Sequence, residues 1–318
     1  MTTPQQPIGS GFTRDSTARE VLDGIDLTGR LAVVTGGYSG LGLETTRALV
    51  GAGAEVLVPA RRVGAAQEAL AGLDGVAIGE LDLGDQDSIT RYADDVLASG
   101  RHVDLLLNSA GIMACPETRV GPGWEAQLGT NHLGHYALTQ RLWPALRGGA
   151  RVVSVSSAGH RRSGIRWEDP HFERGYDKWA AYGQAKTANA LFALHLDRLG
   201  AEHDVRAFSL HPGGIMTPLQ RHVPREEQVA LGWVDEEGRP ANAGFKTPEQ
   251  GAATQVWAAT SPQLDGMGGV YLEDVEVARV VPSDADGPGV REHAADPDQA
   301  ARLWAWSAEQ TGLDAFAA

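Results

Sequence analysis

The chain has a single cysteine, Cys115, among its 318 residues, which excludes an intrachain disulfide. It has no stretch approaching the roughly 20 consecutive apolar residues that a bilayer-crossing helix needs. Basic residues are outnumbered, 27 against 41 acidic, giving a formal charge of −14 with no long basic run. Binding to nucleic acid or to an anionic membrane surface is therefore not expected. Metal-ligand patterns are missing too. His132, His135 and His160 have no acidic or cysteine partner at ligand spacing, so they read as packing or surface histidines and no metal is expected. Internal repeats and low-complexity blocks are absent. Met1 to Arg30 is polar, with Pro4, Pro7, Asp15, Glu20, Asp23 and Asp26, unlike a signal peptide, so a cytoplasmic location is expected.

What the chain does have is an ordinary globular composition, 42% hydrophobic and 21% charged, and an alternation of short apolar runs with helical patterns. Leu31–Thr35, Val56–Val58, Val76–Leu81, Val103–Leu107, Arg151–Ser156, Val205–Leu210 and Gly269–Leu272 read as strands. Leu43–Val50, Ala65–Ala71, Ser88–Ala98, Glu125–Leu146 and Trp179–Leu199 read as helices. Repeated β-α units with buried strands predict an α/β fold, a doubly wound parallel sheet of Rossmann type. One domain is expected over 29–274, with extensions at 1–28 and 275–318. Thr17-Ala-Arg-Glu20 predicts a capped helical turn ending at Gly24, and Pro297 to Gln310 a last helix that packs through Trp304 and Trp306. Two long segments, 159–178 and 214–246, are the expected substrate loops, with Trp167, Phe172 and Trp233 suggesting an apolar wall.

Gly36, Gly40 and Gly42 follow the first strand in a G-x-x-x-G-x-G pattern that also holds Tyr38, Ser39 and Leu41. Missing side chains there permit a tight turn and close approach of a pyrophosphate to a helix N-terminus. The second strand ends without the acid that usually binds an adenine ribose; Arg61 and Arg62 stand there instead, which favours a ribose phosphate and hence NADP(H). Two solvated arginines at a strand end are the competing reading. Asp82-Leu83 ends the third strand, where a carboxylate could accept from an adenine amino group. Asn108-Ser-Ala-Gly111 ends the fourth, and the small Ala110 and Gly111 leave room for a ribose.

Downstream, Tyr182 and Lys186 lie four residues apart, on one helical face. An ammonium beside a phenol favours its ionised form and makes it usable in proton transfer near neutrality. Ser157 precedes them by 25 residues. Ser154 and Ser156 are competing candidates for a catalytic serine, on the strand face opposite Ser157.

Together these residues resemble the short-chain dehydrogenase/reductase family. TGGYSGLG, NSAG (one Ser where the family has Asn), Asn131 in GTNHLGHYALT, Ser157 in VSSAGH, YGQAK and His211-Pro-Gly-Gly-Ile-Met-Thr217 match it in type and order, across roughly Gly29 to Leu272. Within the family, NHLGHYALT, VSSAGH, the long Ser-to-Tyr insertion and YLED look like the retinol dehydrogenase and WW-domain-oxidoreductase branch. The resemblance implies that Tyr182 is acid in reduction and base in oxidation. Lys186 would lower its pKa and hold the nicotinamide ribose, Ser157 would donate to the substrate oxygen, and Asn131 would hold a relay water. Pro212, Gly213, Ile215 and Thr217 would place the carboxamide. It also implies a homodimer or homotetramer paired through the long helices, unless the C-terminal extension blocks that face. The expected function is an NADP(H)-dependent oxidoreductase acting on a small apolar carbonyl or alcohol. A catalytically idle NADP(H)-binding sensor is the alternative, and a sugar-nucleotide epimerase lacks its usual glycine spacing and C-terminal domain here.

Overall fold

The structure is a computed structural model and describes residues 3–317. Eight strands form the central sheet: β1 (Leu31–Val34), β2 (Glu55–Ala60), β3 (Val76–Glu80), β4 (Leu105–Asn108), β5 (Ala150–Val155), β6 (Val205–His211), β7 (Val270–Glu273) and β8 (Glu276–Val277). Their order is β8-β7-β6-β5-β4-β1-β2-β3, all parallel except β8, which returns antiparallel on β7. The expected doubly wound parallel sheet is the observed one.

Both faces are covered, which is why the strands read as continuous apolar runs. Along β1, Ala32 and Val34 join one core while Leu31 and Val33 join the other, as period-two alternation requires. The first core packs against α1 (Gly40–Gly51), α2 (Val63–Ala69) and the helix Pro248–Thr260; the second packs against α3 (Gln86–Ala98), α4 (Gly134–Leu146) and α5 (Lys178–Gly200). Further along the chain are the short helix α6 (Arg225–Ala230) and the longer α8 (Pro297–Thr311), with Pro248–Thr260 between them as α7. The helical pattern over Glu125–Leu146 is not one rod. A π-helical turn, Gly129–Leu133, interrupts it at Asn131.

The extensions dock tightly. Thr17 and Glu20 exchange the expected reciprocal bonds, yet they close only one 3-10 turn, Glu20–Leu22. Gln5 pairs with the backbone of Tyr271 on β7, and the Glu276 carboxylate accepts from the amides of Ile8, Gly9 and Ser10. At the other end, Trp304 of α8 lies stacked on Phe192 of α5 and edge-on to Tyr136 of α4. Trp306 is partly buried and meets His171.

Candidate active site

The turn after β1 is built from positions where one backbone fills another's side-chain space. A Cβ on Gly42 would lie 2.3 Å from the Gly36 carbonyl oxygen, and one on Gly36 would lie 3.0 Å from Ala110 Cα. Gly36 and Gly40 also hold φ of +69° and +52°. Ser39 caps α1 without a side-chain bond, so the first amides of that helix keep their partial positive charge for an anion. Thr35 Oγ1 accepts from the amides of Ser109 and Ala110 at 2.9 and 3.0 Å, which ties the glycine turn to Asn108–Gly111. Asn108 is enclosed, and its Oδ1 has no partner among the described residues. Asp82 Oδ1 accepts from the Gly84 amide at 2.8 Å, and Leu83 lies buried beside it. Arg61 and Arg62 are exposed at the end of β2, and no carboxylate pairs with either among the described residues. Arg221, from the turn Pro218–His222, has its pKa lowered by burial and then by the charges of Arg61 and Arg62. The cradle and the free helix amides fit the pyrophosphate of a nicotinamide dinucleotide.

At the other end of the cleft, Ser157 follows β5 and its Oγ accepts from the Gly159 amide at 3.0 Å. Ser156 donates instead to the Lys186 carbonyl at 2.7 Å, and Ser154 is enclosed, so Ser157 is the serine beside Tyr182. A Cβ on Gly159 would lie 2.7 Å from the Tyr182 ring, so glycine there permits the approach. Lys186 Nζ donates to the Val155 carbonyl at 2.8 Å and stands 5.7 Å from the Tyr182 ring centre. Burial pushes Tyr182 up to about 12 against the lowering effect of the Ser157 hydroxyl, and it pushes Lys186 down to about 7. The four-residue spacing alone suggests a lowered phenol; in the fold, desolvation of both groups outweighs their proximity. Asn131 is fully enclosed, and its side chain pairs with both backbone groups of Ile112 at 2.9 Å. Its own carbonyl accepts from His135 Nδ1 at 2.9 Å. The π-turn therefore pins the chain after β4, beside Lys186.

Residues 30–228 match the family model described as short chain dehydrogenase. The chain belongs to the short-chain dehydrogenase/reductase family. A Streptomyces lividans protein named "Probable oxidoreductase" is 48% identical over 296 residues, covering 90% of this chain and 98% of its own. Mouse retinol dehydrogenase 11 is 34% identical and covers 80% of this chain and 81% of its own, consistent with a retinol dehydrogenase-like branch. The crystal structure of an uncharacterized Mycobacterium paratuberculosis protein has a TM-score of 0.71 at 33% identity, covering 91% of this chain and 96% of its own.

In this short-chain dehydrogenase/reductase a cavity of about 320 Å³ joins the two ends. Ser157, Tyr182, Pro212, Gly213, Ile215, Thr217 and Leu41 line it, as the motifs lead one to expect. Met113, Trp179, Leu219, Trp233 and Phe245 supply an apolar wall, and of these only Trp233 is legible from the sequence as wall. Trp179 carries a usable signal, being three residues before Tyr182 on the same helix face. His211 is a second addition. Its Nδ1 accepts from the amides of Ala158 and Gly213 at 3.1 and 3.4 Å, joining the serine turn to the Pro212–Thr217 loop.

Trp167 and Phe172 are a correction. Trp167 donates to Gln299 of α8 at 2.8 Å with the Arg302 guanidinium over its ring, and Phe172 is buried beside Tyr176. Segment 159–178 is thus mainly a bridge to the C-terminal helix, and only Gly159 and Arg162 of it reach the cavity. Of the two readings of the histidines, packing is the observed one: His132, His135 and His160 are all enclosed. Among the described residues no cluster of His, Cys, Asp and Glu could hold a metal, and no helix is long and apolar enough to cross a membrane.

Proposed function

We propose that the chain is an NADP(H)-dependent oxidoreductase that interconverts a carbonyl and an alcohol on a small apolar molecule. The observation that carries this is a single cavity lined by Ser157 and Tyr182 together with the glycine-turn residue Leu41 and Thr217. When bound, the nicotinamide supplies or takes the hydride. Gly36, Tyr38, Ser39, Gly40, Leu41 and Gly42 would hold the pyrophosphate, Asp82, Leu83, Asn108, Ala110 and Gly111 the adenosine side, and Pro212, Gly213, Ile215 and Thr217 the carboxamide. Tyr182 gives its proton to the substrate oxygen in reduction and takes it back in oxidation. Ser157 donates to the same oxygen as charge develops on it. Lys186 would hold the nicotinamide ribose. A relay water on Asn131 would have to share the carbonyl that His135 already engages. The apolar wall of Met113, Trp179, Trp233 and Phe245 favours a hydrophobic substrate. Turnover of a panel of ketones and aldehydes with NADPH tests the reading directly.

The nucleotide preference rests on Arg61 and Arg62. Replacing Arg61 by Asp is expected to weaken NADPH binding at least about tenfold more than NADH binding, because repulsion replaces attraction at the ribose phosphate. Unchanged selectivity in calorimetric titrations would refute that assignment. A homodimer or homotetramer is part of the same proposal, as is a cytoplasmic location. Because α8 lies across α4 and α5, pairing through those long helices would need α8 to move, so an assembly is expected to use another face.

A further inference from the structure

His160 is enclosed, titratable and unused by the mechanism above. It stands in the 3-10 turn Ala158–Arg162 that begins at Ser157 and folds back on it. The Ser157 carbonyl accepts from three donors: the His160 amide at 3.1 Å, His160 Nδ1 at 2.7 Å and the Tyr271 hydroxyl at 3.3 Å. On the far side of the ring, His160 Nε2 accepts from the Arg291 backbone amide at 3.1 Å. A carbonyl only accepts and an amide N–H only donates, so the ring must carry its proton on Nδ1 and a lone pair on Nε2. Protonating the ring would set two N–H groups face to face. Burial opposes the same event and pushes His160 down to about 4.

The Arg291 amide is itself held in place. Its guanidinium is enclosed and donates to the carbonyls of Ala285, Gly287 and Gly289. Glu273 accepts from the Gly289 amide at 2.7 Å and pairs with Arg161 at 3.1 Å, and His293 Nε2 meets the His160 carbonyl at 2.9 Å. The C-terminal extension therefore grips the serine turn from behind at two points, the His160 ring through the Arg291 amide and the His160 carbonyl through His293.

We propose that His160 is a positioning residue for Ser157, and that the C-terminal segment around Arg291 acts as a brace that holds the serine hydroxyl in its donating geometry. The proposal rests on the reading of Ser157 as the group that meets the substrate oxygen. A displaced hydroxyl leaves the cofactor cradle intact while weakening the interaction made in the transition state, so the effect falls on kcat and not on NADPH binding.

The test uses the full chain. Arg291 has φ −72°, which suits proline, and Val290 before it is in extended strand. Arg291→Pro and Arg291→Ala both remove the guanidinium, but only the proline removes the amide proton. His160→Phe removes the ring's contacts with the Ser157 carbonyl, the Tyr271 hydroxyl and the Arg291 amide, while His160→Asn offers an N–H for the Ser157 carbonyl. His160→Phe is expected to lower kcat about tenfold or more, and Arg291→Pro to fall about fivefold below Arg291→Ala, with NADPH affinity unchanged throughout. His160→Asn is expected to recover most of the loss. Equal kcat in the two Arg291 variants, or a loss of melting temperature with kcat unchanged, overturns the brace. Nitrogen-15 NMR of histidine-labelled protein reads the geometry without turnover: His160 is expected as the Nδ1–H form, with Nε2 shifting in Arg291→Pro but not in Arg291→Ala. An Nε2–H form overturns the proposal even if no carbonyl is reduced. Absence of turnover in the wild type would count against the reductase reading alone.

Discussion

Tyr182→Phe is expected to reduce carbonyls with NADPH about 10²–10⁴-fold more slowly than the wild type while binding NADPH normally. The substitution removes one hydroxyl and keeps the ring, whose edge fills the space that Gly159 leaves open. Folding should survive it. What disappears is the phenolic proton that the proposed reaction gives to the substrate oxygen. Burial keeps that proton on the phenol up to about pH 12, so the acid form is present throughout the neutral range and reduction needs no pre-ionisation. Oxidation needs the phenolate and should speed up as pH rises. Stopped-flow loss of NADPH absorbance over one turnover isolates the step from product release. Equal rates in the two proteins would remove Tyr182 from the acid role. Because Ser157 and the cradle are untouched, an unchanged NADPH affinity is the internal check that the loss lies in the chemistry.

Much of this site is legible without a structure because its parts are local signals repeated in chain order. A strand–glycine–helix junction, a strand-end Asn-Ser-Ala-Gly and a Tyr-Lys helix pair each state their geometry over a few residues. What escaped depends on distant partners. Trp167 and Phe172 look like pocket wall next to the catalytic residues, but Trp167 finds Gln299 and Arg302, residues far along the chain. The helix Pro248–Thr260 escaped for another reason. It is buried nearly all round, Gly251 through Ala259, so it has no polar stripe to betray its period. Its start is nonetheless written in Thr247 and Gln250, a capping box with Pro248 at the first helical position. The π-turn at Asn131 has no comparable signature, because one extra residue per turn changes no residue type. The partners of His132 and His160 are as hidden as those of Trp167: Ser307 and Arg291 lie in the tail.

Those histidines make the fold acid-labile. His132, His135 and His160 are enclosed, and burial is the first cause of their depressed pKa values, about 3, 4 and 4. In the unfolded chain each would titrate near 6.5. A folded pKa below the unfolded one means that the unfolded state binds more protons between the two values. Stability is therefore complete above about pH 6.5 and is lost as pH falls toward 4. Each histidine is worth roughly 3 kcal/mol across that window, and the three together a slope of about 4 kcal/mol per pH unit near pH 5. The sum is comparable with the roughly 5–15 kcal/mol that holds a typical domain together. Urea midpoints are expected to be flat from pH 8 to 7 and to collapse between pH 6 and 4.5, above the range where most carboxylates titrate. Midpoints constant down to pH 5 would sink the prediction. The contacts at stake are also the ones that organise the site: His132 reaches Ser307 of α8, His135 bridges Asn131 to Thr35, and His160 ties Ser157 to Arg291. Acid should thus release the C-terminal brace and the catalytic turns in one transition, with activity and near-ultraviolet circular dichroism falling together.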